Sequence, residues 1–268
     1  MNKALYILEL KRNLKSFLIW GSVVLFITVF ILLLFLSFAD MGESMQVMME
    51  GMPEGMVKGF GMNVDIYTNV LAYYSTYFGL HIMILTGIFA ITMGANILSK
   101  EEREKTSEFL LTRPISRTEV INSKLAAYFT LLSILIVLQT LSGYLTIDYV
   151  SEAPFDNGIF ITLSIYGTLL TLLHGALGWA LSLIPKRGKA ITGPLIGVVV
   201  GGFVCSAISK ISDDSEFLRW ISPFSYVSFD VSLPNYSLDP VTVIVFLAII
   251  AALHVLVYVS YNRRDLDG

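Results

Sequence analysis

Six segments of this chain are apolar and long enough to cross a lipid bilayer, and they limit the fold more than any other feature. They cover residues 17–39, 74–98, 125–147, 159–184, 190–209 and 241–261. A helix needs about 20 residues to cross the hydrocarbon core. Hydrophobic residues make up 55% of the chain and charged residues only 15%. The sequence therefore predicts an all-α polytopic membrane protein with six transmembrane helices, in one transmembrane domain over residues 1–268.

The basic residues divide unevenly between the two sides of the membrane that six spans define. Of the 18 Lys and Arg residues, all but three lie on the side that holds both termini and the segments 99–124 and 185–190. The three exceptions are Lys58, Lys210 and Arg219. Because cytoplasmic loops are enriched in Lys and Arg, we predict that the N- and C-termini are cytoplasmic.

The residues before the first span, 2–15, place leucines and basic side chains on different faces of a helix. This pattern predicts an N-terminal interfacial helix that lies along the membrane surface. The alternative is an ordinary charged flank that only sets the topology. Both interpretations fit the residues.

Residues 99–124 concentrate charge between the second and third spans. Glu101 and Lys105 stand four residues apart, with the acid first, which is the favourable order for a helical ion pair. A helix here should end before Pro114, because the residue that precedes a proline is biased away from helical geometry. The segment therefore predicts a helix followed by a sharp break.

A new helix should begin directly after this break. Ser116 and Glu119 have the spacing of a capping box, in which each side chain binds the other residue's backbone amide. Phe109, Leu110 and Leu111 are apolar residues among charges, which favours a docking surface for a soluble partner. The alternative is a solvated hairpin that merely connects two spans.

The same residues carry a resemblance to a known family. The stretch EEREKTSEFLLTRPISRTEVINSKL (101–125) resembles the cytoplasmic segment after the second span in ABC-2 type ABC transporter permeases. The matching residues are Glu104, Thr106, Glu108, Leu110, Leu111, Pro114, Ile115, Ser116, Arg117 and Lys124. The stretches ELKRNLKS (9–16), MEGMPEGMVKGFG (49–61), RWISPFSY (219–226) and YNRRDL (261–266) are also similar to this family.

The resemblance implies a permease subunit of an exporter, with a cytoplasmic coupling helix seated in a groove of a separate ATPase subunit. The residues implied in ATPase coupling are Glu101, Glu104, Thr106, Glu108, Phe109, Leu110, Leu111, Arg113, Pro114, Ser116 and Arg117. ATP and Mg would be bound by the ATPase, of which two per complex are implied. The chain itself would bind no cofactor and catalyse no reaction, and its sequence contains no G-x-x-x-x-G-K-[ST] loop. A second permease copy or a paralogue, and a bacterial or archaeal cell membrane, are implied as well.

Polar and small residues within the spans allow two further hypotheses. His81, His174 and His254 all fall in spans, as does Gln139, whereas no Asp, Glu, Lys or Arg does. Intramembrane ionisable residues are candidates for function, but we favour interhelical hydrogen bonds over a proton or ion relay. Gly193, Gly197 and Gly201 form a double G-x-x-x-G pattern, which permits close helix approach within the subunit or across a dimer seam.

The loop after the first span is rich in methionine. A helix through it would place Met45, Met48, Met49, Met52 and Met56 on one face. Thioethers bind Cu(I), but methionines also fill apolar gaps. We favour an amphipathic helix and predict no metal site.

Three other classes compete with the permease. A secondary transporter would carry charged residues or broken helices at matching places in two halves. A membrane-embedded enzyme would carry a motif such as H-E-x-x-H or G-x-S-x-G, and neither occurs. A non-transporting anchor or sensor partner of an ATPase would share the docking helix. Beyond the ATPase and the second permease, we expect contact with the lipid bilayer and no nucleic acid.

Overall fold

The structure is a computed structural model. It describes the whole chain except residues 40, 42, 43, 45, 46, 49, 61–63, 105–114, 152, 184–191, 212, 233–235 and 264–268. Within the described residues the fold is helical and contains no strand. Six helical segments there are long and apolar enough to cross a membrane, and each overlaps one predicted segment. The prediction of an all-α chain with six such helices is therefore confirmed.

The helices are numbered α1 to α8 in chain order. Their bounds are α1 Lys3–Ala39, α2 Glu54–Phe60, α3 Val70–Tyr77, α4 Met83–Glu104, α5 Arg117–Val150, α6 Asn157–Leu181, α7 Thr192–Ser209 and α8 Pro240–Arg263. A π-helical turn, Phe78–Ile82, joins α3 to α4, so the second span consists of three pieces. Short 3₁₀ helices lie at Val64–Tyr67, Asp213–Trp220 and Pro223–Tyr226.

Side-chain caps explain where two of the spans begin. Asp156 accepts hydrogen bonds from the amides of Gly158 and Ile159 and so caps α6. Asp239 lies directly before α8. Its carboxylate accepts hydrogen bonds from the hydroxyl and the amide of Thr242 and from the amide of Val241. These hydrogen bonds lower the pKa of the Asp239 carboxyl below its usual value, because they favour the ionised form.

Helix α1 differs from the prediction at its N-terminal end. It is one continuous helix of 37 residues. Because no break separates residues 3–15 from the first span, the separate interfacial helix predicted over residues 2–15 is wrong. At 1.5 Å per residue α1 is about 55 Å long, which exceeds the hydrocarbon thickness of about 30 Å. Neither glycine nor proline interrupts this part of the chain, and its buried residues Leu5 and Glu9 face the other helices.

The bundle is built around two closely packed helix pairs. Helix α1 lies along α5, and α4 lies along α6, whereas contacts between the two pairs are slighter. Helix α8 packs mainly on α6. The most apolar stretch of the second span is 78% buried, and that of the fourth span is 67% buried. In the fifth and sixth spans only 17% of this stretch is buried. The second and fourth spans therefore form the core.

Glycines permit the close packing of α4 on α6. A Cβ atom at Gly94 would lie 2.7 Å from the Gly175 carbonyl oxygen, and one at Gly178 would overlap the Ile91 carbonyl. The glycine pattern on α7 behaves differently. No atom lies within 4 Å of a Cβ built on Gly193, Gly197 or Gly201. Of the two alternatives for this pattern, packing within the subunit is therefore not observed among the described residues.

The methionine-rich loop does not form one helix. The chain is non-helical from Gly51 to Pro53, and α2 begins only at Glu54. Met48 and Met56 lie on either side of this break, and both are more than half exposed. Met45 and Met49 lie outside the described residues. A single thioether face over residues 45–56 is therefore not present.

Candidate functional site

The candidate site lies where α4 ends and α5 begins, on either side of residues 105–114. We refer to this part of the molecule as the Ser116 end. Of the residues implied in ATPase coupling, Ser116 and Arg117 are described with their side chains, and Glu101 and Glu104 belong to the last turns of α4. The others lie outside the described residues. They are Thr106, Glu108, Phe109, Leu110, Leu111, Arg113 and Pro114.

The predicted capping box at Ser116 is confirmed. The Ser116 hydroxyl accepts a hydrogen bond from the Glu119 amide at 3.2 Å, and the Glu119 carboxylate accepts one from the Ser116 amide at 3.1 Å. Ser116 itself is in an extended conformation, with φ −72° and ψ 152°. The cap satisfies amides that have no partner within the helix. It therefore fixes the residue at which the chain leaves the charged segment and becomes α5.

A buried ion pair lies two turns further along α5. Lys124 Nζ is 3.2 Å from Glu9 Oε1, and each side chain is only 1% exposed. The same ammonium also donates a hydrogen bond to the Ile97 carbonyl oxygen on α4. Arg12 is a second and more distant cation, 3.7 Å from Glu9 Oε1. A single lysine on α5 thus contacts both α1 and α4.

Hydrogen bonds extend this contact along the seam between α1 and α5. The Asn2 amide donates to the Ser123 hydroxyl at 2.8 Å, and that hydroxyl lies 3.2 Å from the Asn2 carbonyl oxygen. Further along, the hydroxyls of Tyr6 and Thr130 are 3.1 Å apart. The two helices run parallel, because Asn2 lies beside Ser123 near one end of the seam and Gly21 lies beside Leu135 further along it.

The beginning of α5 also contacts the end of the last span. The Thr118 hydroxyl donates to the Asn262 side-chain oxygen at 3.2 Å, which joins α5 to α8. The Ser116 end is therefore fastened to α1, α4 and α8 by polar contacts. Such an arrangement can transmit a displacement of the 105–116 segment to several spans at once.

Sequence reasoning missed the pairing of Glu9 with Lys124. Both residues lie outside the predicted spans, so a rule that searches the spans for charges passes over them. One signal was present. Glu9 occupies the same helical face as the buried α1 residues, whose spacing is that of one face of a helix. They are Leu5, Phe17, Gly21, Val24, Thr28, Leu32 and Phe35.

The histidines are not gathered into one site by their contacts. His174 and His254 place Nδ1 at 2.8 Å and 2.7 Å from the carbonyl oxygens of Leu170 and Ile250. Because each carbonyl belongs to the histidine's own helix, the expectation of interhelical bonds is wrong for both. His81 is exposed and stacks on Tyr77.

Two further observations concern polar groups in the spans. Gln139 follows the interhelical expectation, since its amide donates to the Tyr74 hydroxyl at 3.2 Å. In the described part of the chain, no group of three or more His, Cys, Asp or Glu side chains is placed to hold a metal ion.

The fold defines a polytopic α-helical membrane protein in which the start of the third span is anchored to α1, α4 and α8. The chain belongs to the ABC-2 family of transporter proteins, whose family model matches residues 3–266. It is therefore a membrane permease of the ABC transporter class, a transport component whose family in general works with an ABC ATPase. No curated protein and no solved structure matches the chain. The family match confirms the resemblance found in residues 101–125.

Proposed function

We propose that this chain couples ATP hydrolysis by a separate ATPase subunit to the export of a substrate across a bacterial or archaeal cell membrane. Residues 105–116 dock on the ATPase, and the termini lie in the cytoplasm. Two permeases, either two copies or a copy and a paralogue, work with two ATPases. The ATPases bind ATP and Mg, and this chain contributes no catalytic residue.

The observation that carries the proposal is the family match over residues 3–266 of a chain with six apolar helices. The Ser116 end supports the position of the docking segment. Helix α4 runs 22 residues to Glu104 and α5 begins at a capped residue, so both flanks of the segment are rigid. A rigid flank passes on a displacement instead of absorbing it by bending.

The open glycine face of α7 supports the pairing of two permeases. Gly193, Gly197 and Gly201 meet no other atom within 4 Å among the described residues, and only 17% of the apolar stretch of this span is buried. Small residues at such spacing allow helices in a membrane to approach closely. A second permease can therefore pack on this face without displacing anything in the subunit.

The first prediction concerns docking. Replacing both Phe109 and Leu110 by Asp should weaken capture of the cognate ATPase more than about tenfold, because buried anchors of an interface are each worth about 2 kcal/mol or more. Co-purification in detergent measures how much ATPase is captured, and the ATPase activity of the complex measures its stimulation. The matched control is Phe217→Asp, which changes an exposed aromatic residue of the 3₁₀ helix Asp213–Trp220. Undiminished capture by the double variant, with normal ATPase stimulation, would refute docking at this segment.

The second prediction concerns orientation. In a Cys205→Ser background, which removes the single cysteine, cysteines are introduced at the exposed residues Lys11 and Glu216. A membrane-impermeant maleimide applied to intact cells should label Glu216→Cys and spare Lys11→Cys until the membrane is opened. Cytoplasmic termini require this result, since five spans separate Lys11 from Glu216 and an odd number of crossings places the two residues on opposite sides of the membrane. The reverse labelling pattern would show that the termini are outside.

A further inference from the structure

The Ser116 end joins the two helix pairs of the bundle. Helices α1 and α5 form one pair, and α4 and α6 form the other. The chain passes from the second pair to the first through residues 105–116, between the end of α4 and the start of α5. A partner that moves this segment therefore acts at the junction of the two pairs.

Lys124 contacts both α1 and α4 at this junction, and these contacts differ in strength. Towards α1 it forms an ion pair with Glu9, and both side chains are 1% exposed. Towards α4 it donates to the neutral backbone carbonyl of Ile97. In an interior of low dielectric constant, two opposite charges attract each other more strongly than a charge attracts the dipole of a carbonyl. We therefore expect the contact with α4 to break before the ion pair does.

Burial makes the ion pair hard to separate. A charge without a partner in a low-dielectric interior is costly, so moving Glu9 away from Lys124 is opposed strongly. The Asn2–Ser123 and Tyr6–Thr130 hydrogen bonds resist the same sliding motion along the seam. The buried apolar residues Phe17, Val24 and Leu32 of α1 add to this resistance.

We infer that Glu9 and Lys124 are positioning residues for coupling, which clamp α1 to α5 so that the two helices move as one body when residues 105–116 are displaced. When α1 and α5 move together, they turn relative to α4 at the contact between Lys124 and Ile97. This inference rests on the proposed function and specifies how the motion reaches the first span.

Distances between spin labels test the inference directly. In the Cys205→Ser background, one pair of labels at Lys11 and Asn122 spans α1 and α5, and a second pair at Lys11 and Lys100 spans α1 and α4. In the complex with the ATPase, we expect the first distance to stay the same with and without trapped ATP. The second distance should shift. A change in the first distance would overturn the inference.

Coupling can then be removed and restored at the clamp. Glu9→Gln should still yield a complex with the ATPase but lose the permease-dependent change in ATPase rate. A disulfide between Asn2→Cys and Ser123→Cys, placed where the Asn2 backbone amide contacts the Ser123 side chain, should restore that change once non-reducing electrophoresis shows that the bond has formed. Lys11→Gln removes an exposed charge from the same helix and should have no effect.

A second variant covers the case in which Glu9→Gln does not fold. The double variant Glu9→Gln/Lys124→Met removes both charges of the pair together, and it too should form the complex without the ATPase response. A normal response in the folded variants, or loss of the response when the disulfide is formed in the otherwise native chain, would refute the clamp. If the native chain captured no ATPase at all, the proposed function would fail instead.

Discussion

Lys124→Met is expected to lower the free energy of unfolding by about 3 kcal/mol, the lower end of the cost of removing one partner of a buried ion pair, because the Glu9 carboxylate loses its nearer cation but keeps Arg12. Glu9 would remain within α1, where its side chain is 1% exposed and Arg12 stands 3.7 Å away as the more distant cation. The Ile97 carbonyl would lose a donor as well. The unfolding midpoint of the purified protein in detergent, followed by heat or denaturant, measures the effect.

The double variant Glu9→Gln/Lys124→Met separates charge from packing. Because it removes both charges and keeps similar volumes, it should recover most of the lost stability, as replacement of a buried pair by neutral groups is often close to neutral. Lys11→Met is the matched control, since Lys11 is an exposed lysine of α1. If the double variant were as unstable as Lys124→Met alone, the destabilisation would have to come from shape and not from an unpaired charge.

The six spans could be predicted from the sequence because crossing a bilayer requires a long apolar run. The observed helices overlap all six predicted segments but extend beyond some of them, as α5 does by running from Arg117 to Val150. Hydropathy reports the part of a helix that lies in lipid. It says nothing of how far the helix continues into water, which is why the continuous α1 was predicted as two pieces.

The Ser116 cap was predictable for a different reason. A capping box is a local motif, in which residues three positions apart satisfy each other's amides. The Glu9–Lys124 pair joins residues 115 positions apart, and its geometry depends on how α1 packs on α5. The local sequence pattern therefore predicts where α5 begins, whereas the ion pair becomes visible only once the helices are packed.

The glycine patterns show the same limit. Gly193, Gly197 and Gly201 have the regular spacing that attracts attention in a sequence, yet no described atom packs on them. Among the described glycines, the closest approaches to the backbone of another helix are at Gly94 on α4 and Gly178 on α6, which belong to no such repeat. Close packing of two helices depends on which faces meet, and the spacing on one helix does not determine this.

Gly178→Ala is expected to destabilise the protein by about 3 kcal/mol, at the upper end of the cost of overpacking a well-packed core. The added Cβ would overlap the Ile91 carbonyl, and the obstacle is backbone, which cannot turn aside as a flexible side chain can. Helices α4 and α6 would have to separate. Because these are the most buried spans, the strain would fall on the centre of the bundle. A lower unfolding midpoint in detergent would report it.

Gly202→Ala provides the control on a different span. A Cβ atom there meets Pro223 and Phe224 at ordinary contact distances of 3.7–3.9 Å, so the unfolding midpoint should stay the same or rise slightly, since alanine favours helix more than glycine does. If the unfolding midpoint fell equally in the two variants, the loss of stability would come from replacing glycine as such and not from the contact with Ile91. An unchanged midpoint for Gly178→Ala would mean that α4 and α6 do not approach as closely as the structure shows. A loss confined to Gly178→Ala supports a core in which the second and fourth spans touch backbone to backbone.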